Sequence, residues 1–157
     1  MDLGCGEGRL AEHFAKDLDK KEFRLLSSVR SFDLMALKPH IEIKDIVETG
    51  LESNSCDVAV FCLSLMGTNY KEFIIEALHI LRIGGYLIIS EITSRFSNIN
   101  SFILVLKNFG AVLSHRESLG TYFETLIFEK KDNRNPRKYN NKVDWGKLLK
   151  PCFYKKR

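Results

Sequence analysis

The first ten residues of this chain constrain its fold more than any other stretch. Met1-Asp2-Leu3 leads directly into Gly4-Cys5-Gly6-Glu7-Gly8, and Arg9-Leu10-Ala11 follows. This order predicts the end of a strand, a tight turn and the start of a helix. Glycines in such a turn permit positive φ angles and let the backbone approach a small ligand closely. The run therefore indicates an α/β fold with a ligand-binding turn.

The spacing of the three glycines indicates the kind of ligand. Gly4, Gly6 and Gly8 form the pattern G-x-G-x-G, which is typical of loops that bind S-adenosylmethionine (SAM). Loops that bind nicotinamide cofactors follow G-x-G-x-x-G instead. A glycine-rich turn with no ligand is the alternative. Gly4 and Gly6 are our first candidate cofactor residues.

The position of this loop is unusual. In a doubly wound sheet the glycine loop follows a buried central strand, but only Met1, Asp2 and Leu3 precede it here. We therefore expect that the chain begins inside its fold and lacks the first strand of the sheet. Such a loss exposes two strand edges and removes buried apolar surface, so we predict marginal stability and weak cofactor binding.

Composition limits the class of protein. A chain of 157 residues with 45% hydrophobic and 28% charged residues suits one globular domain with a core. It has no apolar run long enough to span a membrane and no signal-peptide pattern. Its cysteines lack C-x-x-C spacing and matching histidine pairs, which predicts no metal site, no disulfide framework and a reducing compartment. They are Cys5, Cys56, Cys62 and Cys152.

Charge divides the chain, and we predict a folded domain over residues 1–130 and a basic tail over 131–157. The tail has ten basic and two acidic residues, a net +8, so residues 1–130 carry −4 of the total +4. An acidic body with a basic tail suits a polyanion such as RNA, and it equally suits a solvated segment. Trp145, Tyr139 and Phe153 either stack on RNA bases or anchor the tail on the domain.

Hydrophobic periodicity predicts alternating strands and helices. Helical spacing covers residues 8–18, 70–81 and 100–109, and strand patterns cover 29–33, 41–44, 56–63, 86–92, 111–116 and 122–128. We expect Gly84 and Gly85 to close the second helix. The last two strands are joined too closely for a helical crossover, which predicts an antiparallel hairpin. This order is that of the class I methyltransferase variant of the doubly wound α/β fold.

Two acidic residues stand at predicted strand ends, where such folds bind ligands. Asp33 ends the second strand, and its carboxylate can accept two hydrogen bonds from ribose hydroxyls. Asp45 ends the third strand, where it can accept a hydrogen bond from an adenine amino group while Ile46 packs on the ring. The alternative for each acid is a surface turn residue.

The segment after the fourth strand narrows the methyltransferase class to one family. It lacks the Asn/Asp-Pro-Pro-aromatic turn of many enzymes that methylate exocyclic base amines. The stretches DLGCGEGRLA, SFDL, CDVAVFCLSLMGTN and PCFYKKR together resemble the ribosomal RNA-processing protein 8 family, also called nucleomethylin. The similarity covers residues 2–130 and 150–157, which is most of the chain.

This resemblance implies a class I SAM-dependent methyltransferase that modifies N1 of an adenine in large-subunit ribosomal RNA, in the nucleolus. Gly6 is a candidate from the loop argument alone. The family's upstream part, with its first strand and a further cofactor-contacting segment, is absent from this sequence. Carried over by motif, the cofactor contacts are Gly4, Asp33, Asp45, Ile46 and Cys62.

The implied chemistry assigns no catalytic base, because N1 of adenine carries an unprotonated lone pair at neutral pH. Ser64, Thr68 and Asn69 are candidates to hold the adenine edge by hydrogen bonds. Their alternative role is to cap the strand and the helix around them.

The expected partners are ribosomal RNA and chromatin or assembly-factor proteins. The expected location is the nucleus and nucleolus, and we expect neither a membrane nor a metal ion to be bound. Three other functions stay open. A small-molecule methyltransferase has the same scaffold, although the basic tail argues against it. A non-catalytic SAM-binding module associated with chromatin or RNA, and a truncated fragment without activity, are the other two.

Overall fold

The structure of the protein, a computed structural model, describes residues 1–17, 28–132 and 144–152. Its α-helices are α1 (Arg9–Asp17), α2 (Tyr70–Ile80) and α3 (Ile99–Asn108). Its strands are β1 (Asp2–Leu3), β2 (Ser31–Asp33), β3 (Ile41–Ile43), β4 (Cys56–Cys62), β5 (Leu81–Ile92), β6 (Ala111–Leu119) and β7 (Phe123–Lys130). Short 3-10 turns occupy Thr93–Arg95 and Trp145–Lys147. The predicted end of the first helix at residue 18 lies outside the described residues.

Within the described residues the strands form one sheet in the order β3-β2-β1-β4-β5-β7-β6. Strands β1 to β5 pair in parallel, and β7 is antiparallel to both β5 and β6. The predicted α/β fold with an antiparallel C-terminal hairpin is confirmed. The chain moves outward from β1 to β3 and then returns to β4, so the loops after β1 and β4 diverge at a topological switch point.

The prediction that the first strand of the sheet is missing is wrong, because Asp2–Leu3 forms a two-residue β1 between β2 and β4. Asp2 N–H donates to the Arg30 carbonyl on one side at 2.9 Å, and Val60 N–H donates to the Met1 carbonyl on the other side at 2.9 Å. Leu3 is fully buried. This short strand therefore keeps β2 and β4 joined and leads straight into the glycine loop.

Helix α2 ends differently from the prediction. Gly84 and Gly85 were expected to close it, but it ends at Ile80 and the next residue is already extended. Leu81 pairs with Cys56 of β4, so the pairing of the strands, rather than a glycine cap, ends the helix. Gly84 keeps a positive φ of 74°, but it lies within β5.

The core is built mainly from one face of the sheet and from α2 and α3. Along β5, Leu87 and Ile89 are fully buried, and they pack in one cluster with Ile74 of α2 and Phe102 of α3. None of the helices in the described ranges is long and apolar enough to cross a membrane.

Part of the predicted tail packs on this core. Trp145 is buried, and its ring meets the edges of Tyr70 and Phe109 with centroids 5.9 and 5.4 Å apart. Leu149 forms a bridge with Phe96 and is also buried. Residues 144–152 thus agree with the anchoring alternative for Trp145. The boundary between residues 130 and 131 stays a prediction, and Tyr139 and Phe153 lie outside the described residues.

Candidate functional site

The glycine loop is held by hydrogen bonds to strand β2. Gly4 and Cys5 both donate their N–H groups to the Phe32 carbonyl, at 2.8 and 3.1 Å. Gly4 and Gly6 adopt positive φ angles of 72° and 56°, in the left-handed region that favours glycine. The predicted turn is therefore present, and the backbone of β2 holds it in place.

Gly4 and Gly6 have different surroundings. A Cβ at Gly4 would lie 2.6 Å from the Cβ of Ser64, so the loop after β4 packs directly against Gly4. A Cβ at Gly6 would meet nothing within 4 Å. Gly4 therefore provides contact between two loops, whereas Gly6 faces open space that a ligand can enter.

Asp33 joins the glycine loop to the turn after β2. Its Oδ2 accepts a hydrogen bond from Gly6 N–H at 2.8 Å, and its Oδ1 accepts one from Met35 N–H at 3.3 Å. Each carboxylate oxygen can accept a second hydrogen bond, so the half-buried Asp33 can still bind hydroxyl groups. The structure brings Gly6 and Asp33 together, as the predicted site requires.

Asp45 and Ile46 follow β3 and face different surroundings. The preceding Lys44 N–H donates to the Asp33 carbonyl at 2.9 Å, which places the two strand ends side by side. Asp45 is exposed, and its Oδ1 accepts the Val47 N–H at 2.9 Å in a turn. Ile46 is only 7% exposed, and its Cδ1 lies 3.8 Å from the position of a Cβ at Gly4.

A cleft of about 660 Å³ opens between the start of α1 and the sheet, which is large enough for a small-molecule cofactor. Cys62, at the end of β4, is exposed and lines the cleft together with Gly4. The other lining residues are Asp2, Cys5, Glu7, Arg9, Leu10, His13, Val60 and Ser90. Asp33, Asp45 and Ile46 do not line it and are tied to its rim through the contacts above.

The thiols in the cleft are protonated at neutral pH. Burial, with the nearby carboxylates of Asp2 and Asp33, raises the pKa of Cys5 to about 11. Partial burial of the sulfur, and then Asp2 and Glu91, raise the pKa of Cys62. A protonated thiol is a poor nucleophile, so neither side chain is set up for covalent catalysis.

Ser64 faces the glycine loop rather than a separate pocket. Its Oγ lies 3.3 Å from the position of a Cβ at Gly4. That Oγ is buried, and it has no hydrogen-bond partner among the residues that the structure describes. A buried hydroxyl without a partner is unusual, and it marks a position where a ligand can complete the bonding.

Thr68 and Asn69 are exposed residues just before α2. Asn69 is the N-cap residue of the helix, but its side chain accepts no capping hydrogen bond. Its Oδ1 instead lies 2.6 Å from the position of a Cβ at Gly67. The capping alternative is thus not observed for Asn69, and the roles of Ser64, Thr68 and Asn69 stay predictions.

Asp2 is a residue of the cleft that the sequence analysis missed. It is 5% exposed, and burial raises the pKa of its carboxyl group, with a further contribution from Asp33. Its signal in the sequence is its place directly before the glycine loop, at the predicted end of a strand. In residues 1–17, 28–132 and 144–152, no group of three or more His, Cys, Asp or Glu side chains is placed to hold a metal ion.

Solved structures define the class of fold. The 1,6-didemethyltoxoflavin-N1-methyltransferase of Burkholderia thailandensis, solved with S-adenosylhomocysteine, matches with a TM-score of 0.63 and 14% identity, over 83% of this chain and 70% of that chain. A SAM-dependent methyltransferase from Aquifex aeolicus matches with a TM-score of 0.61 and 14% identity, over 82% and 80%. The fold is that of the class I SAM-dependent methyltransferases.

The family described as hypothetical methyltransferase matches residues 1–157, so the chain belongs to that family. The chain is 41% identical to ribosomal RNA-processing protein 8 of Caenorhabditis elegans, over all of this chain and 42% of that protein. It is 37% identical to the 25S rRNA (adenine(645)-N(1))-methyltransferase of Saccharomyces cerevisiae, over 99% of this chain and 48% of that protein. The resemblance is confirmed, and the chain spans about half or less of these relatives.

Proposed function

We propose that this protein is a SAM-dependent methyltransferase that modifies N1 of an adenine in large-subunit ribosomal RNA. The observation that carries the proposal is similarity along the whole chain to the yeast protein named for that reaction. The similarity includes the glycine loop and the segment after β4, which meet at Gly4 and Ser64. Sequence similarity and the geometry of the candidate site therefore both support this function.

The residues present fit SAM. Gly6 faces open space and donates its N–H to Asp33, whose carboxylate has further acceptor capacity for ribose hydroxyls. The buried Oγ of Ser64 is without a partner in the described part of the chain, and it can bond to a polar group of the cofactor. We assign the cofactor to Gly4, Gly6, Asp33, Asp45, Ile46 and Cys62.

The chemistry makes few demands on the protein. SAM supplies an electrophilic methyl group on a sulfonium sulfur. The chain's own residues have to orient the adenine, exclude water and leave the N1 lone pair unobstructed. An adenine within a duplex must first be unpaired, because N1 lies on its pairing edge. The neutral thiols of Cys5 and Cys62 do not compete for the methyl group as thiolates would.

The substrate side of the proposal uses the loop after β4. Thr68 and Asn69 are exposed there and can hold the adenine edge by hydrogen bonds. Ser64 faces the glycine loop, which favours a contact with the cofactor over one with the base. The net +8 charge over residues 131–157 suits the phosphates of ribosomal RNA. We place the protein in the nucleus and nucleolus, where chromatin or assembly-factor proteins are further partners.

Methyl transfer from labelled SAM to protein-free large-subunit ribosomal RNA tests the proposal. We expect incorporation at one adenine, mapped by the stop that a methyl group on the pairing edge imposes on reverse transcription. SAM binding without incorporation would favour the non-catalytic binding module. The absence of both SAM binding and methyl incorporation would favour an inactive fragment. Transfer only to small molecules would exclude the RNA substrate.

A further inference from the structure

A buried ion pair lies at the carboxyl end of β5, beside the candidate site. Arg95 Nη1 donates to Glu91 Oε2 at 2.5 Å, and the two side chains are only 6% and 1% exposed. Removing two charges from water costs several kcal/mol per ion and is repaid only when further hydrogen bonds complete the geometry. The bonding of the remaining atoms therefore indicates what the pair does.

Both members of the pair bind the backbone of one residue in the loop after β4. Leu65 N–H donates to Glu91 Oε1 at 3.0 Å, and Arg95 Nη2 donates to the Leu65 carbonyl at 2.5 Å. Two residues earlier, Leu63 adopts a φ of 56°, a left-handed conformation that is strained for leucine. Its N–H donates to the Ser90 carbonyl at 2.9 Å. Neighbouring groups thus hold this loop in a conformation that it would not adopt alone.

The same guanidinium reaches the C-terminal segment. Arg95 Nε donates to the Lys150 carbonyl at 2.9 Å, and Lys150 N–H donates back to the Arg95 carbonyl at 2.8 Å. Cys152 N–H then donates to the Met66 carbonyl at 2.9 Å. All three nitrogens of one planar side chain are used, each toward a different partner. Arg95 therefore links β5, the loop after β4 and residues 144–152.

The position of the linked loop gives this arrangement a consequence for function. Ser64, next to Leu65, packs on Gly4 of the glycine loop with no space for an additional Cβ. A shift of Leu65 would therefore move Ser64 away from the glycine loop and change the course of the backbone that leads to Thr68 and Asn69. Because the pair binds only backbone atoms of the loop, it sets the position of the loop and leaves these three side chains to face ligands.

We propose that Arg95, oriented by Glu91, is a positioning residue that holds the loop after β4 and the C-terminal segment together as one wall of the methyl-transfer site. This inference rests on the proposed function for the reaction that it positions. It adds residues 144–152 to the structural requirements of that site. Neither Arg95 nor Glu91 lines the cleft, so the role that we assign to them is positioning and not catalysis.

The test compares Arg95→Gln with Lys130→Gln in the full chain. Lys130 is a matched control, because its buried Nζ also donates to a main-chain carbonyl, that of Leu81 at 2.6 Å, but at the opposite end of β5. We expect Arg95→Gln to lower kcat for RNA methylation by about tenfold to a hundredfold, as small displacements at reacting centres do. SAM affinity should fall by no more than about tenfold, which is the loss expected when Ser64 no longer reaches the cofactor. Lys130→Gln should keep kcat within about twofold at a temperature where all variants are folded.

Two further variants separate positioning from folding. Arg95→Lys keeps the charge but not the fork, so its kcat should lie between those of the wild type and Arg95→Gln. Glu91→Gln keeps an acceptor for Leu65 N–H and removes the charge that orients the guanidinium, so it should lower kcat less than Arg95→Gln. It also serves if Arg95→Gln does not fold.

Amide hydrogen exchange gives a readout that needs no activity. In Arg95→Gln, exchange at Leu65 and Cys152 should rise by about tenfold or more, whereas β4 should be unchanged. Unchanged exchange at Leu65, or a kcat within about twofold of wild type for both Arg95→Gln and Glu91→Gln, would overturn the inference. If the unaltered chain transfers no methyl group to RNA, the proposed function itself fails, whatever the exchange data show.

Discussion

Two sides of the candidate site, which we assign to cofactor binding and to methyl transfer, are built in different ways. The cofactor side, which consists of the glycine loop and the turns after β2 and β3, is held by short backbone turns. Asp33 and Asp45 each accept an N–H from a residue two positions later. The transfer side, which consists of residues 63–69 and 144–152, is held by the buried Glu91–Arg95 pair.

The difference shows how one site divides its tasks. The cofactor side presents polar groups that are half-buried or exposed and still have acceptor capacity, which suits direct binding of a ligand. On the transfer side the charged groups of Glu91 and Arg95 form hydrogen bonds with backbone atoms, which suits the control of loop position. Substitutions on the first side, and of Ser64 where the two sides touch, should therefore affect binding, whereas substitutions of the Glu91–Arg95 pair should affect turnover.

The largest effect is expected where the two sides touch. Gly4→Ala would place a Cβ 2.6 Å from that of Ser64, at a φ of 72°. The left-handed backbone costs about 1–2 kcal/mol and overpacking about 1–3 kcal/mol, so unfolding in urea should show a loss of about 2–5 kcal/mol. Gly6→Ala, with nothing within 4 Å, should show only the backbone cost. Equal losses in the two variants would contradict the contact between the sides.

Asp33→Ala tests the cofactor side by itself. It removes a carboxylate that we assign to ribose hydroxyls, and each hydrogen bond to a charged group contributes about 1.5–3 kcal/mol, so kcat/KM should fall by about a hundredfold or more. The fold should persist, because Asp33 is only half-buried and stands at the end of β2. Asp57→Ala, which removes an exposed acid paired with Arg82 at the opposite edge, is the control. Retained activity in Asp33→Ala would remove Asp33 from the site.

Ser64→Ala tests the hydroxyl that faces the glycine loop. Because this buried Oγ has no partner in the described ranges, its loss should change the free energy of unfolding by less than about 1 kcal/mol. SAM affinity, measured by calorimetry, should fall by about tenfold. Ser31→Ala removes another buried hydroxyl of the same kind from β2 and should leave the affinity unchanged. An equal affinity in Ser64→Ala would place the cofactor elsewhere.

The smallest effect is expected from pH. Since no base is required and the pKa values of Cys5 and Cys62 are raised, kcat should vary by less than about twofold between pH 7 and 9. The raised pKa of Cys5, about 11, favours the neutral folded state. Its contribution to stability is complete below the unfolded pKa near 9.0 and is lost as the pH rises toward 11. A sigmoidal rise of kcat near pH 7 would reveal a base that the site does not show.

The geometry of the glycine loop and of the strand end beside it could be predicted because the signals are local. Three alternating glycines and an acid at a strand end are short patterns with a direct physical meaning, and the structure joins Gly6 to Asp33 as that pattern requires. The same local reasoning was wrong at Gly84 and Gly85. There a strand pairing between Leu81 and Cys56, which no local pattern reports, ended the helix first.

The transfer side left one signal that the sequence analysis did not use. Glu91 lies at an inward position of a buried, alternating strand, where an acid needs a partner. The identity of that partner's targets was not predictable, because Leu65 and Lys150 lie 30 and 55 residues from Arg95 along the chain. Contacts across such distances depend on how the whole sheet is assembled.

The α/β class, the glycine loop and the acids beside it can be read from the amino-acid sequence alone, because turns and buried strands follow from residues a few positions apart. Three features follow only from the assembled fold: Ser64 faces Gly4, residues 144–152 pack on the core, and one buried guanidinium joins these residues to the loop after β4. These features depend on burial, because an unpaired charge or hydroxyl is costly in the interior and its partner can come from any part of the chain.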